Sequence, residues 1–246
     1  MDPHMKEWRR LGAMALLFIP LTLLACTGGQ SSSRLNKNSG PEGPAANALW
    51  GLLSQCINAS GNQTCACPSL LGSCCAGPAS SYADAVWATT PDFVALRDVK
   101  QCACPSEFVH GLALPRVKVT GIEDLNRPNA IWPFAWQTAA TKIANPQEIC
   151  LAINPPQARS QNQMHVHMMR LLPKTRTWLD GVQQLDGLVL LDLTDLHGVF
   201  TEVLVKVGAD QMGKTGVVVA QGVHGRYRAL LTDRTAAEHF CQKLCD

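Results

Sequence analysis

Ten cysteines scattered from Cys56 to Cys245 constrain this chain more than any other feature, because every crosslink among them must draw distant segments together. They are Cys56, Cys65, Cys67, Cys74, Cys75, Cys102, Cys104, Cys150, Cys241 and Cys245. An even set of this size in an oxidising compartment forms disulfides as a rule. The rival is a metal site built from Cys65-Ala66-Cys67, Cys74-Cys75 and Cys102-Ala103-Cys104. Those spacings lack the Cys-x-x-Cys knuckle of zinc sites, so disulfides are preferred and no metal is expected. Spacing leaves the pairing open.

The eleventh cysteine, Cys26, belongs to a different signal. Lys6, Arg9 and Arg10 precede an uncharged run over 11–25, LGAMALLFIPLTLLA. The run is shorter than the roughly 20 apolar residues of a spanning helix, and Pro20 sits inside it. A signal peptide fits. Its end, Leu23-Leu24-Ala25-Cys26, resembles the lipobox of bacterial lipoproteins, which implies acylation of Cys26. An uncleaved signal anchor is the main rival, and a plain cleaved signal the third reading. All place the domain outside the cytoplasm, on the periplasmic side of a bacterial envelope. The net charge of +2 with no dense basic face excludes a nucleic-acid partner. Membrane attachment therefore falls to the N-terminal anchor.

Composition then divides the chain into 1–25, signal or anchor; 26–45, a Gly/Ser/Pro/Asn-rich flexible tether; 46–83, a cysteine-rich extension with a short helix over 46–57; and 84–246, the main domain. With 46% apolar residues, one sizeable core is available. Strands are expected at 92–98, 108–115, 148–153, 163–171, 188–193, 199–207, 216–220 and 227–231. Three-and-four spacing of Ile131, Phe134, Ala135, Thr138 and Ala139 predicts a helix over 131–144, and a closing helix is expected over 236–244, with Cys241 and Cys245 one turn apart. Adjacent strands that dominate the order imply an α+β fold with an antiparallel sheet and flanking helices.

The chemistry concentrates in 151–170, LAINPPQARSQNQMHVHMMR. Alternation through 163–168 puts Gln163, His165 and His167 on one strand face and Met164, Val166 and Met168 on the core side. Two imidazoles beyond a polar loop can supply a nucleophile and a phosphate-binding group. The bland alternatives are an exposed polar strand face or a surface metal pair.

The same stretch resembles the histidine-triad superfamily, whose signature is His-φ-His-φ-His-φ-φ. The fuller pattern is similar to the bacterial CDP-diacylglycerol pyrophosphatases: Phe134-Ala135-Trp136-Gln137, Leu151 to Asn154, Arg159 to Asn162 and Met212-Gly213 carry the likeness over roughly 90–246, outside the cysteine-rich segment. The resemblance implies a histidine-triad-like sheet, no cofactor, and CDP-diacylglycerol as substrate. It makes His165 the nucleophile and His167 the group that holds phosphate. It gives Ser160 and Asn154 phosphate contacts and Asp98 a ribose contact. His110, in 110–115, matches a further family strand, although a structural histidine is the commoner meaning of such a residue. Arg159 is either added charge or a solvated loop residue. The first triad position is Gln163, which can hydrogen-bond but cannot carry a proton. The implied reaction is two-step, with a cytidylyl-histidine intermediate released by water as CMP. A histidine-triad hydrolase or nucleotidyl transferase on a soluble nucleotide, and a non-catalytic disulfide-stapled binding protein, are the alternatives.

Overall fold

Five of the strand segments are apolar on both alternating faces, which requires a sheet covered on both sides. In the computed structural model, which describes residues 40–57, 86–98, 101, 104–105, 107–181 and 188–245, that is the arrangement. The apolar run over 11–25, Cys26, residues 27–39 and the cysteine-rich stretch after residue 57 lie outside the described residues, as do the side chain of Cys56 and Cys102. The strands are β1 (Val86–Thr89), β2 (Phe93–Arg97), β3 (His110–Pro115), β4 (Ile149–Ile153), β5 (Val166–Arg170), β6 (Val189–Leu193), β7 (Gly216–Gln221) and β8 (Tyr227–Thr232). They form one eight-stranded sheet in the order β1-β2-β3-β5-β4-β7-β8-β6. Every pairing is antiparallel. The α+β expectation holds.

One face is covered by helix α2 (Ile131–Ala140) and helix α4 (Val199–Val207). Ile131, Trp132, Ala135 and Ala139 of α2 and Val199, Phe200 and Val203 of α4 pack on Ala95, Ala113, Leu151, Val166, Met168, Val217 and Val219 of the strands. At about 1.5–3 kcal/mol per buried large side chain, this cluster is the main source of stability. Gly111 is required here: a Cβ on it would lie 2.0 Å from the Trp87 ring of β1.

The segment 199–207 is therefore a helix, not the strand its valines predicted. Val199, Phe200 and Val203 are buried while Val205 is 83% exposed, a helical period that β-branched composition masks. Gly208, at φ 83°, ends it. Two further departures are local. The closing helix α6 (Ala236–Phe240) stops before Cys241, so the last two cysteines do not share it. The pairing of β5 begins at Val166 rather than 163, leaving Gln163 and His165 just ahead of the ladder. Helix α3 (Pro173–Leu179), the short α5 (Ala209–Met212) and strand β1 were not anticipated.

The opposite face carries two separate clusters. Leu52 and Leu53 of helix α1 (Ala48–Cys56), with Ile57, cover Val94, Leu96, Leu112 and Leu114 of β2 and β3. Ala236, Ala237 and Phe240 of α6, with Leu179 of α3, cover Cys150, Ala152, Met169, Val218 and Leu230. Disulfides stitch this side: Cys150 on β4 joins Cys241, and Cys104 in the β2–β3 loop joins Cys245. Between the two clusters runs a seam along β3 and β5.

Candidate active site

The seam holds the histidines. On β5, His167 is paired with Leu112 on one side and Ala152 on the other, one residue from each cluster. His110 opens β3 opposite Met169, diagonal to His167 on the same sheet face. Its Nε2 lies 3.1 Å from His167 Nδ1. Asp98, one residue past β2, donates its backbone N–H to the His110 carbonyl (2.9 Å) and places Oδ2 3.4 Å from His110 Nε2. Gln101, which nothing in the sequence singled out, accepts the His110 N–H through Oε1 at 3.2 Å. All four imidazole and carboxylate groups of the seam, Asp98, His110, His165 and His167, are buried.

These contacts set ring tautomers. His165 Nδ1 lies 2.8 Å from the backbone oxygen of Gln163. A carbonyl oxygen only accepts, so Nδ1 bears the proton and the neutral ring keeps its lone pair on Nε2. For His110, the carboxylate of Asp98 favours a proton on Nε2, which His167 Nδ1 then accepts. The neutral His167 ring is left with its proton on Nε2. The rings of His165 and His167 stand 4.8 Å apart between centroids at 73°. Two adjacent imidazoles thus carry opposite tautomers: one offers a lone pair, the other a donor. His110 is a partner of the pair rather than an isolated core histidine.

Gln163 contributes differently from the expected shared strand face. Its side-chain amide is buried and donates to the carbonyls of Pro115 and Val117, each at 2.9 Å. Its main-chain carbonyl meets His165. The residue therefore ties the end of β3 to the start of β5 and holds the oxygen that orients the His165 ring.

The remaining residues scatter. Asn154, just past β4, accepts the N–H of Ala237 (3.1 Å) and donates to Glu238 (3.3 Å), which anchors the first turn of α6. Ser160 is exposed on the loop leading to the histidines. Arg159 is held by Glu123 through both terminal nitrogens, at 2.8 and 2.7 Å. Its charge is thus partly satisfied within the fold. Asp98, expected at a ribose, is packed against His110. Asp98, His110 and His167 also bring one ligating atom each within 4.8 Å, a set able to hold a divalent cation.

One charge perturbation lies in the loop after β3. Burial raises the Asp124 carboxyl, but the N–H groups of Asn126 and Thr120, the Thr120 hydroxyl and the nearby Arg127 outweigh it and hold the group below its ordinary value.

A Mycobacterium leprae protein named "Probable CDP-diacylglycerol pyrophosphatase" is 40% identical over 82 residues, which cover 29% of this chain and 30% of that protein. The family model for CDP-diacylglycerol pyrophosphatase matches residues 44–188, well over half of the chain. It starts earlier than the resemblance over 90–246, taking in α1 and the cysteine-rich segment, and it stops before β6. With Asp98, His110, Asn154, Gln163, His165 and His167 all inside the matched span, the chain belongs to the CDP-diacylglycerol pyrophosphatase family.

Proposed function

We propose that this protein hydrolyses the pyrophosphate bond of CDP-diacylglycerol, giving CMP and phosphatidate through a cytidylyl-histidine intermediate of the histidine-triad kind. Family membership supports the substrate. The observation that carries the chemistry is the 2.8 Å contact from His165 Nδ1 to the Gln163 carbonyl, which leaves Nε2 nucleophilic.

In the first step the Nε2 lone pair forms a bond to the cytidylyl phosphorus. The P–O bond to the bridging oxygen breaks, and its electron pair leaves with phosphatidate. His167 Nε2–H, supported by His110 and Asp98, donates to the phosphoryl oxygens as charge builds there. Water then attacks the same phosphorus and gives up a proton to solvent, the P–N bond breaks, and CMP leaves while His165 regains its lone pair. Ser160 and Asn154, at the two ends of the loop, complete the phosphate-side polar surface in this reading. Its N-terminal segment attaches the protein to the envelope membrane through Cys26 or an uncleaved anchor, with the domain on the periplasmic side. Tethering raises the local concentration of a lipid substrate.

The test is hydrolysis of CDP-diacylglycerol by the purified protein, with intact-mass detection of a cytidylyl adduct. His165→Ala is expected to lose both adduct and turnover. Turnover surviving in His165→Ala but lost in His167→Ala would overturn the assignment of nucleophile.

A further inference from the structure

Three ligating side chains converge in the histidine seam, each carried by a different segment of chain. His110 opens β3, His167 is the second residue of β5, and Asp98 follows the last residue of β2. Asp98 Oδ2 lies 3.4 Å from His110 Nε2, and that nitrogen lies 3.1 Å from His167 Nδ1. One ligating atom from each of the three falls within 4.8 Å of the other two. Among the described residues, no other trio of His, Cys, Asp or Glu gathers so closely. His165 is outside the set.

The donor set selects the kind of ion. Two imidazole nitrogens and one carboxylate oxygen suit zinc or a similar divalent transition metal, whereas magnesium and calcium favour all-oxygen surroundings. With metal–ligand bonds of about 2.0–2.1 Å, the two measured separations subtend roughly 100° and 110° at a cation between them, near the tetrahedral angle. The frame is firm. Antiparallel register fixes the two histidines on neighbouring strands. Three successive backbone hydrogen bonds pin the segment that carries the carboxylate: Asp98 N–H to His110 (2.9 Å), Gln101 N–H to Asp98 (3.0 Å) and Cys104 N–H to Gln101 (3.1 Å). The disulfide from Cys104 to Cys245 holds its far end. His110 is fully buried, while Asp98 and His167 keep 7% and 6% of their surface, so the trio is nearly dry yet reachable from one side. The carboxylate offsets one of the two charges such an ion brings in.

We propose that Asp98, His110 and His167 form a binding site for zinc or a similar divalent transition-metal ion, which holds His167 Nδ1 in place of the hydrogen bond from His110. When the ion is bound, both rings are neutral ligands, and His110 carries its proton on Nδ1 instead of Nε2. His167 keeps its proton on Nε2. The donor to phosphate therefore survives, now backed by a fixed positive charge, and His165 keeps its own lone pair. That consequence for the donor rests on the proposed function; the site itself does not.

The test uses the full chain with its disulfides intact, stripped by a chelator and titrated with Co2+, whose visible absorption reports a four-coordinate site, then with Zn2+ as competitor. One Co2+ per chain, displaced by Zn2+, is expected. Asp98→Asn, which keeps the side-chain size, is expected to weaken Zn2+ binding roughly tenfold or more, and His165→Ala to leave it unchanged. X-ray absorption on Zn2+-loaded wild type depends on no variant folding, and should show two imidazole nitrogens and one carboxylate oxygen at about 2.0–2.1 Å. Failure to bind one ion per chain, equally tight binding in Asp98→Asn, loss of binding in His165→Ala, or sulfur among the ligands overturns the site. Zinc-loaded wild type is expected to retain turnover of CDP-diacylglycerol; turnover abolished in step with loading puts the nucleophile on the metal and overturns the arrangement. If wild type cleaves CDP-diacylglycerol neither stripped nor loaded, the proposed function fails, and the cobalt and X-ray absorption results still decide the site.

Discussion

Gln163→Leu keeps the side-chain volume but strips the donors from the carbonyls of buried Pro115 and exposed Val117. The structure sets the size of the effect. Gln163 Nε2 donates to Pro115 and Val117, both at 2.9 Å, whereas its Oε1 is buried without a hydrogen-bond partner. The amide orientation follows from the acceptors, since two carbonyl oxygens require the NH2 end. Leaving a buried carbonyl without its donor costs about 1–3 kcal/mol, and removing the orphaned Oε1 recovers a comparable amount once. The cost at Pro115 and the relieved oxygen nearly offset, and the lost bond to Val117 leaves a net loss of roughly 0.5–1.5 kcal/mol in unfolding free energy. Urea unfolding with the disulfides intact measures it. The Gln163 carbonyl also loses its brace, so its hold on His165 Nδ1 weakens and kcat on CDP-diacylglycerol is expected to fall about tenfold, equivalent to roughly 1.4 kcal/mol. Gln163→His keeps one donor and should fall between wild type and leucine in both assays. Unchanged stability and unchanged kcat in Gln163→Leu, or a histidine variant worse than leucine, would refute the clamp.

Three other expectations follow from the same contacts. Asp98→Asn removes the carboxylate beside His110 and should lower kcat roughly 10- to 100-fold with KM little changed, because the residue acts through His110 and His167; a rise in KM alone would instead put Asp98 on the nucleotide. Replacing Cys150 and Cys241 together with serine opens a crosslink 91 residues apart in sequence and should cost about 2–4 kcal/mol, seen as a lower denaturation midpoint, with α6 the first element to lose amide protection. Asp124 titrates low, so its stabilising contacts are fully present above the ordinary aspartate value near 3.8 and are lost as pH falls through the lower folded value; a carboxyl NMR titration should find its midpoint below 3.8, and a midpoint at or above it would contradict the bonding around the 120–126 turn.

Much of the site could be read from residue order. The alternation in 163–168 placed His165 and His167 correctly relative to Met164, Val166 and Met168, since the three apolar side chains all belong to the large cluster. What order could not give was anything carried by chain reversal. Asp98 and His110 lie twelve residues apart around a loop, and only the β2–β3 register brings one against the other. Arg159 reads as free positive charge because its partner, Glu123, is 36 residues away. The structural contacts of Asn154 are hidden in the same way, since its amide meets Ala237 and Glu238 across 83 and 84 residues. The helix at 199–207 was misread for another reason: packing against α2 and the sheet overrides the strand preference of its valines.

The two imidazoles of the seam are braced by different kinds of group, and that difference has a kinetic signature. His165 is oriented by a main-chain carbonyl, which has no protonation equilibrium in the working range of the protein. His167 is oriented through the side chains of His110 and Asp98. Disturbing the first brace changes how often the His165 ring is aimed, not how the site responds to pH. Disturbing the second changes which proton His167 can offer at a given pH. In profiles of kcat/KM against pH, Gln163→Leu should therefore lie below wild type with the same shape, whereas Asp98→Asn should shift the profile along the pH axis. A displaced profile in Gln163→Leu, or a merely lowered one in Asp98→Asn, would mean that the donor and the nucleophile have been assigned to the wrong rings.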